Sequence, residues 1–295
     1  MQENHYFDTY AEVKAVQRTP FRNRFRDIVL DTVSIANPLF RNALKRPRVQ
    51  FIYIHHVFRD EVEQLDKLIR LLAEDHQFIS YSEGVSRVLR NQVDRPYVVF
   101  SSDDGLLNNM EAAQVFDRYG IKGCFFINPT MIGEKDFNRI RLFCKQQLHF
   151  PPVSFLEWKD VEALLGRGHE IGSHTMNHIN MGAVPKEILR DEIHESYRII
   201  SERCGTVAHF AFPYGRFHHF NGFSRQELFA AGYQSLATAE RGCHISDGNP
   251  VQKEALVIRR DHIILDWPIP HIIWFLQKNS LFASVQNNYY TGWSG

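Results

Sequence analysis

The chain has few of the features that would tie it to nucleic acid, to a membrane interior or to a disulfide framework. It has 34 Lys and Arg against 34 Asp and Glu in 295 residues, so its formal net charge is zero and no basic excess favours nucleic acid. No apolar run approaches the roughly 18 residues of a spanning helix. The four cysteines are scattered without a CxxC pair, which predicts neither disulfides nor a zinc–thiolate site.

The N-terminal stretch MQENHYFDTYAEVKAVQRTP has no basic segment followed by an apolar one. It therefore predicts a cytoplasmic protein, although a chain that had lost its leader would look the same. Residues 1–47 form an N-terminal extension that is basic and amphipathic in part. We interpret it as a helical extension packed on the main domain, with peripheral contact to an anionic membrane or a partner as the alternative.

Residues 48–295 alternate between short apolar runs and segments with helical periodicity. Apolar runs such as VQFIYIH, YVVFSSDDG and KGCFFIN predict buried strands, and stretches such as DEVEQLDKLIRLLAED predict the intervening helices. Such alternation implies a parallel sheet with right-handed crossovers. About seven units predict an α/β fold, a distorted (β/α) barrel, and sites in barrels form where the strands end.

Polar residues stand directly after several of these strands. Asp103 and Asp104 follow YVVFSS, whereas His174 and His178 in GSHTMNH follow HEIGS. Two histidines four residues apart project from one side of a helical turn and can share a metal ion. With one carboxylate they make a three-ligand site that leaves positions open for water and substrate. The alternative is a pair of surface or capping histidines.

The paired carboxylates of VVFSSDDG need a reason, because Asp is a poor strand residue and two neighbouring Asp repel each other. Beside a divalent cation, one can neutralise the metal while the other accepts a proton from water whose pKa the metal lowers. Gly105 would then let the chain turn away from the site. Without the histidines, DDG would read as an ordinary turn.

Three sequence motifs, in the order SSDDG, GHEIGSHTMNH and FAFPYG, resemble those of the polysaccharide deacetylase family, carbohydrate esterase family 4, also called the NodB homology domain. The resemblance runs from about residue 49 into the 260s. It implies a distorted (β/α) barrel, one divalent metal ion, most often zinc but also cobalt, nickel, manganese or iron, and removal of N-acetyl groups from amino sugars.

Position by position, the resemblance implies that Asp103 is the general base and that Asp104, His174 and His178 are the metal ligands. Pro213 and Tyr214 match the motif of the groove wall, in which the backbone N–H of Tyr214 would help to hold the oxyanion.

The sequence departs from the family pattern at three places. Ser101 and Ser102 replace the usual Thr-Phe before the Asp pair. The arginine that orients the base is missing before Pro213; Arg260 either substitutes for it or forms a structural ion pair. The usual Leu-x-His near the C-terminus is also absent. FIYIHHV instead resembles the Tyr-His element of a permuted subgroup that includes poly-N-acetylglucosamine deacetylases, which makes His55 the candidate acid, with a histidine that merely ends a strand as the alternative.

The sequence thus predicts a metal-dependent hydrolase acting on an N-acetylated glycan or a sugar precursor. Two alternatives stay open: hydrolysis of another amide, such as an N-formyl sugar or a small cyclic amide, and a non-catalytic glycan-binding relative. An open groove lined by Tyr214, Phe217 and Trp267 would favour a glycan, and a closed pocket would favour a small molecule.

Overall fold

The computed structural model describes residues 5–17, 21–290 and 292, with residues 21–25 as backbone only. From residue 48 onward, strands alternate with helices along the chain. The strands are β1 (Arg48–Ile54), β2 (Gln77–Phe78), β3 (Pro96–Ser102), β4 (Cys124–Ile127), β5 (Glu170–Ser173), β6 (His209–Ala211), β7 (Ser235–Ala237) and β8 (Arg260–His262). The α-helices are α1 (Tyr10–Val16), α2 (Phe21–Ser34), α3 (Val62–Ala73), α4 (Tyr81–Leu89), α5 (Asn109–Arg118), α6 (Phe137–Phe143), α7 (Trp158–Gly166), α8 (Lys186–Cys204), α9 (Gly222–Ala231) and α10 (Ile269–Leu281).

The elements form where the sequence pattern predicts them. Every residue of β1 is buried, as expected for a parallel strand with both faces covered. In α3 the buried side chains recur at helical spacing, so one stripe faces the sheet while the charged face meets solvent. The last predicted strand is shorter than its apolar run, because ALVI makes only isolated backbone bridges and regular pairing begins at Arg260.

Within the described residues, seven strands form one parallel sheet in the order β7-β6-β5-β4-β3-β1-β8, and β2 pairs with β3 beside this path. Ile258, just before β8, bridges in parallel to Ala237 of β7 and so brings the two ends of the sheet together. The predicted α/β fold, a nearly closed barrel of about seven units with N-terminal helices, is confirmed.

Strand order in space differs from strand order in sequence at one point. β1 comes first along the chain, yet it lies between β3 and the last strand, β8. Because all these strands are parallel, their carboxyl ends meet at one rim of the barrel. The residue after β1 is therefore a spatial neighbour of the residues after β3, although about fifty positions separate them in the sequence.

The N-terminal extension packs on the barrel. Its second half lies on α10, where Asn37 Nδ2 donates to the Pro270 carbonyl at 2.7 Å and Ser280 Oγ donates to the Ala43 carbonyl at 2.5 Å. Its basic residues Arg41 and Lys45 form ion pairs with acidic residues of the chain itself. The structure thus supports the interpretation of a helical extension packed on the main domain. It gives no support to membrane contact.

None of the helices in the described ranges combines the length and the apolarity that a membrane crossing requires.

Candidate active site

The Asp pair lies where β3 ends at the rim of the barrel. Asp103 and Asp104 are 3% and 4% exposed, which is unusual for two neighbouring carboxylates. The backbone turns sharply at this point, with φ of +74° at Asp104 and +71° at Gly105. A Cβ at Gly105 would meet side-chain atoms of Ile132 and Ile127 at 3.2–3.3 Å. The glycine therefore allows the tight turn that aims both carboxylates at the rim.

His174 and His178 follow β5, but the segment between them is not the helical turn that the sequence suggested. Thr175 and His178 have φ of +63° and +55°, in the left-handed region. Side chains from neighbouring elements hold this turn: Asn128 Nδ2 donates to the carbonyls of His174 and Thr175. The two imidazoles reach one point because of this strained turn, so the spacing predicted their meeting for the wrong reason.

Asp104, His174 and His178 form a compact group of potential metal ligands, all buried. Asp104 Oδ1 lies 3.4 Å from His174 Nε2 and 3.3 Å from His178 Nε2, and one ligand atom from each residue falls within 4.8 Å of the other two. His174 Nδ1 lies 2.7 Å from the Ala211 carbonyl, which can only accept. Nδ1 therefore carries the hydrogen, and in the neutral ring Nε2 presents a lone pair to Asp104.

This donor set fits a divalent cation. Asp104 Oδ1 is buried without any hydrogen-bond partner. A buried carboxylate oxygen that faces imidazole lone pairs is costly unless a cation lies between them. Two imidazoles and one carboxylate are the ligands of many catalytic zinc sites.

Arg260 forms the closest ion pair in the site, and its partner is Asp103. Nη1 donates to Oδ1 at 2.7 Å and Nη2 donates to Oδ2 at 2.8 Å, while Nε donates to the Thr238 carbonyl at 3.1 Å. Burial raises the pKa of Asp103, but the Arg260 guanidinium, together with His174 and His55, more than offsets burial and holds that pKa below its ordinary value. Arg260 thus holds both carboxylate oxygens of the candidate base, a contact that both alternatives for this arginine allow.

His55 lies directly after β1, on the same cavity as the Asp pair. Its Nδ1 is 2.9 Å from Nε2 of His262, the last residue of β8. Burial lowers the pKa of His55, although the nearby carboxylates Asp104 and Asp103 act in the opposite direction. Had β1 continued, His56 would point away from His55; the strand ends at Ile54 instead, and both rings line the cavity.

Tyr214 and Pro213 follow β6, and the structure separates them. Tyr214 has φ of +61°, its ring stands edge-on to His178 with centroids 5.0 Å apart, and its Oη donates to Gln147 Oε1 at 3.1 Å. Pro213 is buried behind the wall and does not line the cavity, although Phe212 and Tyr214 on either side of it do. Pro213 therefore shapes the turn that presents Tyr214.

One cavity of about 360 Å³ contains nearly all the residues discussed. The side chains around it come from both the barrel and the N-terminal extension: Tyr10, Gln17, Tyr53, His55, His56, Asp103, Asp104, Leu106, Gln147, Leu148, His149, Phe150, His174, His178, Phe212, Tyr214, Gly215, Ala239, Arg260, His262 and Ile264. Of the three predicted groove residues, only Tyr214 is among them. Phe217 stacks on Tyr290, and Trp267 packs against Phe275.

Several lining residues were missed by the sequence analysis. Tyr10 comes from α1, while Gln147 and Phe150 come from the segment after α6, which contains a π-helical turn at Cys144–Leu148. No motif marks these positions, because only the fold brings them to the rim. His262 had a usable signal: it follows Arg260 by two residues, so both side chains point to the same side of β8.

The chain also resembles known proteins. The sequence model of the family described as polysaccharide deacetylase matches residues 90–236. The chain belongs to the polysaccharide deacetylase family. The matched residues include Asp103, Asp104, His174 and His178, whereas His55 and Arg260 lie outside them. No curated protein matches the sequence.

Solved structures share the fold at low sequence identity. IcaB from Ammonifex degensii superposes with a TM-score of 0.60 at 17% identity, over 79% of this chain and 98% of that one. The Streptococcus pyogenes deacetylase PplD gives 0.59 at 16% identity, over 78% and 97%. The deacetylase domain of BpsB from Bordetella bronchiseptica gives 0.58 at 17%, over 74% and 96%. The family resemblance seen in the sequence is confirmed, and β1 lies where the permuted strand order requires it.

Proposed function

We propose that this protein is a metal-dependent hydrolase that removes N-acetyl groups from the amino sugars of a glycan or a glycan precursor. Membership of the polysaccharide deacetylase family supports deacetylation of a carbohydrate. One observation carries the finer proposal: Asp104, with its unpartnered oxygen, lies beside two imidazoles and next to the Arg260–Asp103 pair, in one cavity.

Asp104, His174 and His178 would hold the metal ion, with zinc as the proposed ion. When bound, such an ion polarises a carbonyl group and lowers the pKa of water. The remaining chemistry belongs to side chains and backbone of this chain. Asp103, held by both nitrogens of the Arg260 fork, accepts the proton that water loses as it attacks the acetyl carbon.

The amide then breaks at its C–N bond, and the leaving nitrogen needs a proton. Protonated His55 supplies it from Nε2, while its Nδ1–H donates to His262 Nε2. Burial lowers the pKa of His55, and a lower pKa makes its protonated form a stronger proton donor. The backbone N–H of Tyr214 would stabilise the oxyanion of the tetrahedral intermediate. The products are acetate and a free amino sugar.

The test is acetate release from N-acetylglucosamine oligomers by zinc-loaded protein, with Asp103→Asn, His55→Ala and the exposed-site control His218→Ala. We expect activity in the wild type and the control, and a loss of about 10²–10⁴-fold in each of the other two. Full activity in His55→Ala would remove His55 as the acid. An intact, zinc-binding wild type that releases no acetate would contradict the proposal and direct attention to other amides or to a binding role.

A further inference from the structure

His56 is a second imidazole on the cavity wall, and the proposed chemistry does not use it. Its Nδ1 lies 3.0 Å from Oε2 of Glu61, whose side chain is 5% exposed. The same oxygen accepts the backbone N–H of Phe58 at 2.9 Å. Because a carboxylate accepts, Nδ1 of His56 carries the hydrogen. In the neutral ring, Nε2 is then left as an acceptor.

Aromatic rings fix the orientation of this imidazole. Tyr10 and Phe150 each stack on it, with centroids 5.2 Å away and interplanar angles of 24° and 25°. Phe58 adds a tilted contact at 5.0 Å. The imidazole side chain is 12% exposed. With Nδ1 engaged and the ring stacked, Nε2 is the polar atom that His56 can offer to a molecule in the cavity.

The N-terminal extension is part of this arrangement. The backbone N–H groups of Tyr10 and Ala11 donate to the two carboxylate oxygens of Asp60, at 2.8 and 3.0 Å. Phe7 N–H donates to the Pro152 carbonyl at 3.0 Å, beside the segment that carries Phe150. These contacts anchor both stacking rings, so the position of His56 is determined before any ligand enters.

We propose that His56 is a substrate-positioning residue whose Nε2 accepts a hydrogen bond from a hydroxyl group of the amino sugar. This inference rests on the proposed function. It adds a second group of the substrate, besides the acetamide, that the site recognises. His56 adjoins His55 in the chain, and neighbouring Cα atoms are about 3.8 Å apart. The hydroxyl therefore belongs to the sugar being deacetylated or to the next one. A small cyclic amide without hydroxyl groups has nothing to donate to this acceptor.

The experiment compares His56→Phe, which keeps an aromatic ring but loses both nitrogens, with His218→Phe outside the cavity. For N-acetylglucosamine oligomers we expect KM to rise about 10-fold in His56→Phe, as for one lost hydrogen bond that leaves its partner unsatisfied, with kcat within about 2-fold. For 4-nitrophenyl acetate, which has no hydroxyl group, both parameters should match the wild type. His56→Gln, which keeps polar atoms at a similar reach, should recover part of the lost affinity.

Three results would overturn the proposal: an unchanged KM for the oligomer, an equal loss with both substrates, or a fall in kcat alone. The last would place His56 in the chemistry. If the wild type proves inactive, the proposed function fails, and direct titration of the zinc-loaded proteins with N-acetylglucosamine trimer decides the inference separately. Binding weakened about 10-fold in His56→Phe supports it, whereas equal or absent binding in both proteins contradicts it.

Discussion

The two ends of the barrel each carry a buried polar cluster. The clusters differ in whether their donors and acceptors satisfy one another. At the amino ends of the strands, His209 Nε2 lies 2.8 Å from Ser82 Oγ and its Nδ1 lies 2.8 Å from Ser235 Oγ. Ser82 in turn donates to Glu170 from both its backbone N–H and its hydroxyl. At the carboxyl ends, Asp104 Oδ1 has no hydrogen-bond partner.

This difference in hydrogen bonding distinguishes a cluster that stabilises the fold from a cluster that binds a ligand. A cluster whose donors and acceptors satisfy one another has no need of a ligand and contributes to stability. A cluster that leaves a buried carboxylate oxygen facing two imidazoles is stable only when something else completes it. The histidine and the carboxylate are common to both ends, so residue type alone would not distinguish them.

The largest effect we predict comes from the same substitution at both ends. His174→Ala removes a proposed metal ligand, and we expect zinc affinity to fall more than about 100-fold, since even indirect contacts to a ligand are worth 10–100-fold. His209→Ala should leave zinc affinity and acetate release unchanged and lower the free energy of unfolding by about 1–3 kcal/mol. Zinc titration and urea unfolding of both variants measure the two effects. Equal zinc affinities in the two variants would contradict the claim that the cluster at the carboxyl ends is the one that binds zinc.

A second pair of substitutions uses two arginines that are both fully buried. Arg260→Lys keeps the charge but loses the bidentate fork on Asp103, so we expect kcat to fall about 10–100-fold with zinc affinity unchanged. Arg48 lies at the amino end of β1, where Nε donates to Gln50 Oε1 at 2.9 Å and Nη1 donates to the Leu44 carbonyl at 2.5 Å. Arg48→Lys should lower stability and spare kcat. A normal kcat in Arg260→Lys would show that Asp103 needs no such orientation.

The smallest predicted effect is a pH dependence at the amino end. Burial raises the pKa of Glu170, but hydrogen bonds from His209 and Ser82 more than offset burial, so the folded-state pKa lies below the ordinary 4.5. Glu170 therefore contributes stability above pH 4.5, and this contribution falls as pH drops from 4.5 towards the folded-state value. Glu170→Gln should therefore lose less stability than the wild type between pH 7 and pH 4 in urea unfolding. Parallel losses would contradict the assigned shift.

Much of the fold and of the candidate metal site was predictable from the sequence, because short-range patterns encode them. Strand and helix periodicity revealed the barrel, and strand ends revealed Asp104, His174 and His178. The family resemblance suggested His55 and Arg260, and the structure then showed Arg260 on Asp103 itself. Apart from Arg260, which begins β8, these residues follow strands, so the rim of a barrel collects them whatever their distance in sequence.

The remaining features could not be predicted, since they depend on contacts between distant segments. The left-handed turn between His174 and His178 depends on Asn128, from another strand end. Tyr10 begins helix α1 and Phe150 lies in a loop, and no motif in the sequence links either residue to His56. Phe217 and Trp267, the residues considered for an open groove, do not line the cavity, because both rings find aromatic partners elsewhere.

Zinc titration of metal-free protein, with acetate release from N-acetylglucosamine oligomers as the readout, tests the central claim most directly. We expect no activity without metal and a rise that reaches its plateau at one zinc ion per chain, at the site of Asp104, His174 and His178. His174→Ala should stay inactive over the same range of zinc concentration. Activity that persists in the metal-free protein, or that His174→Ala retains, would show that this protein does not depend on a metal ion at this site.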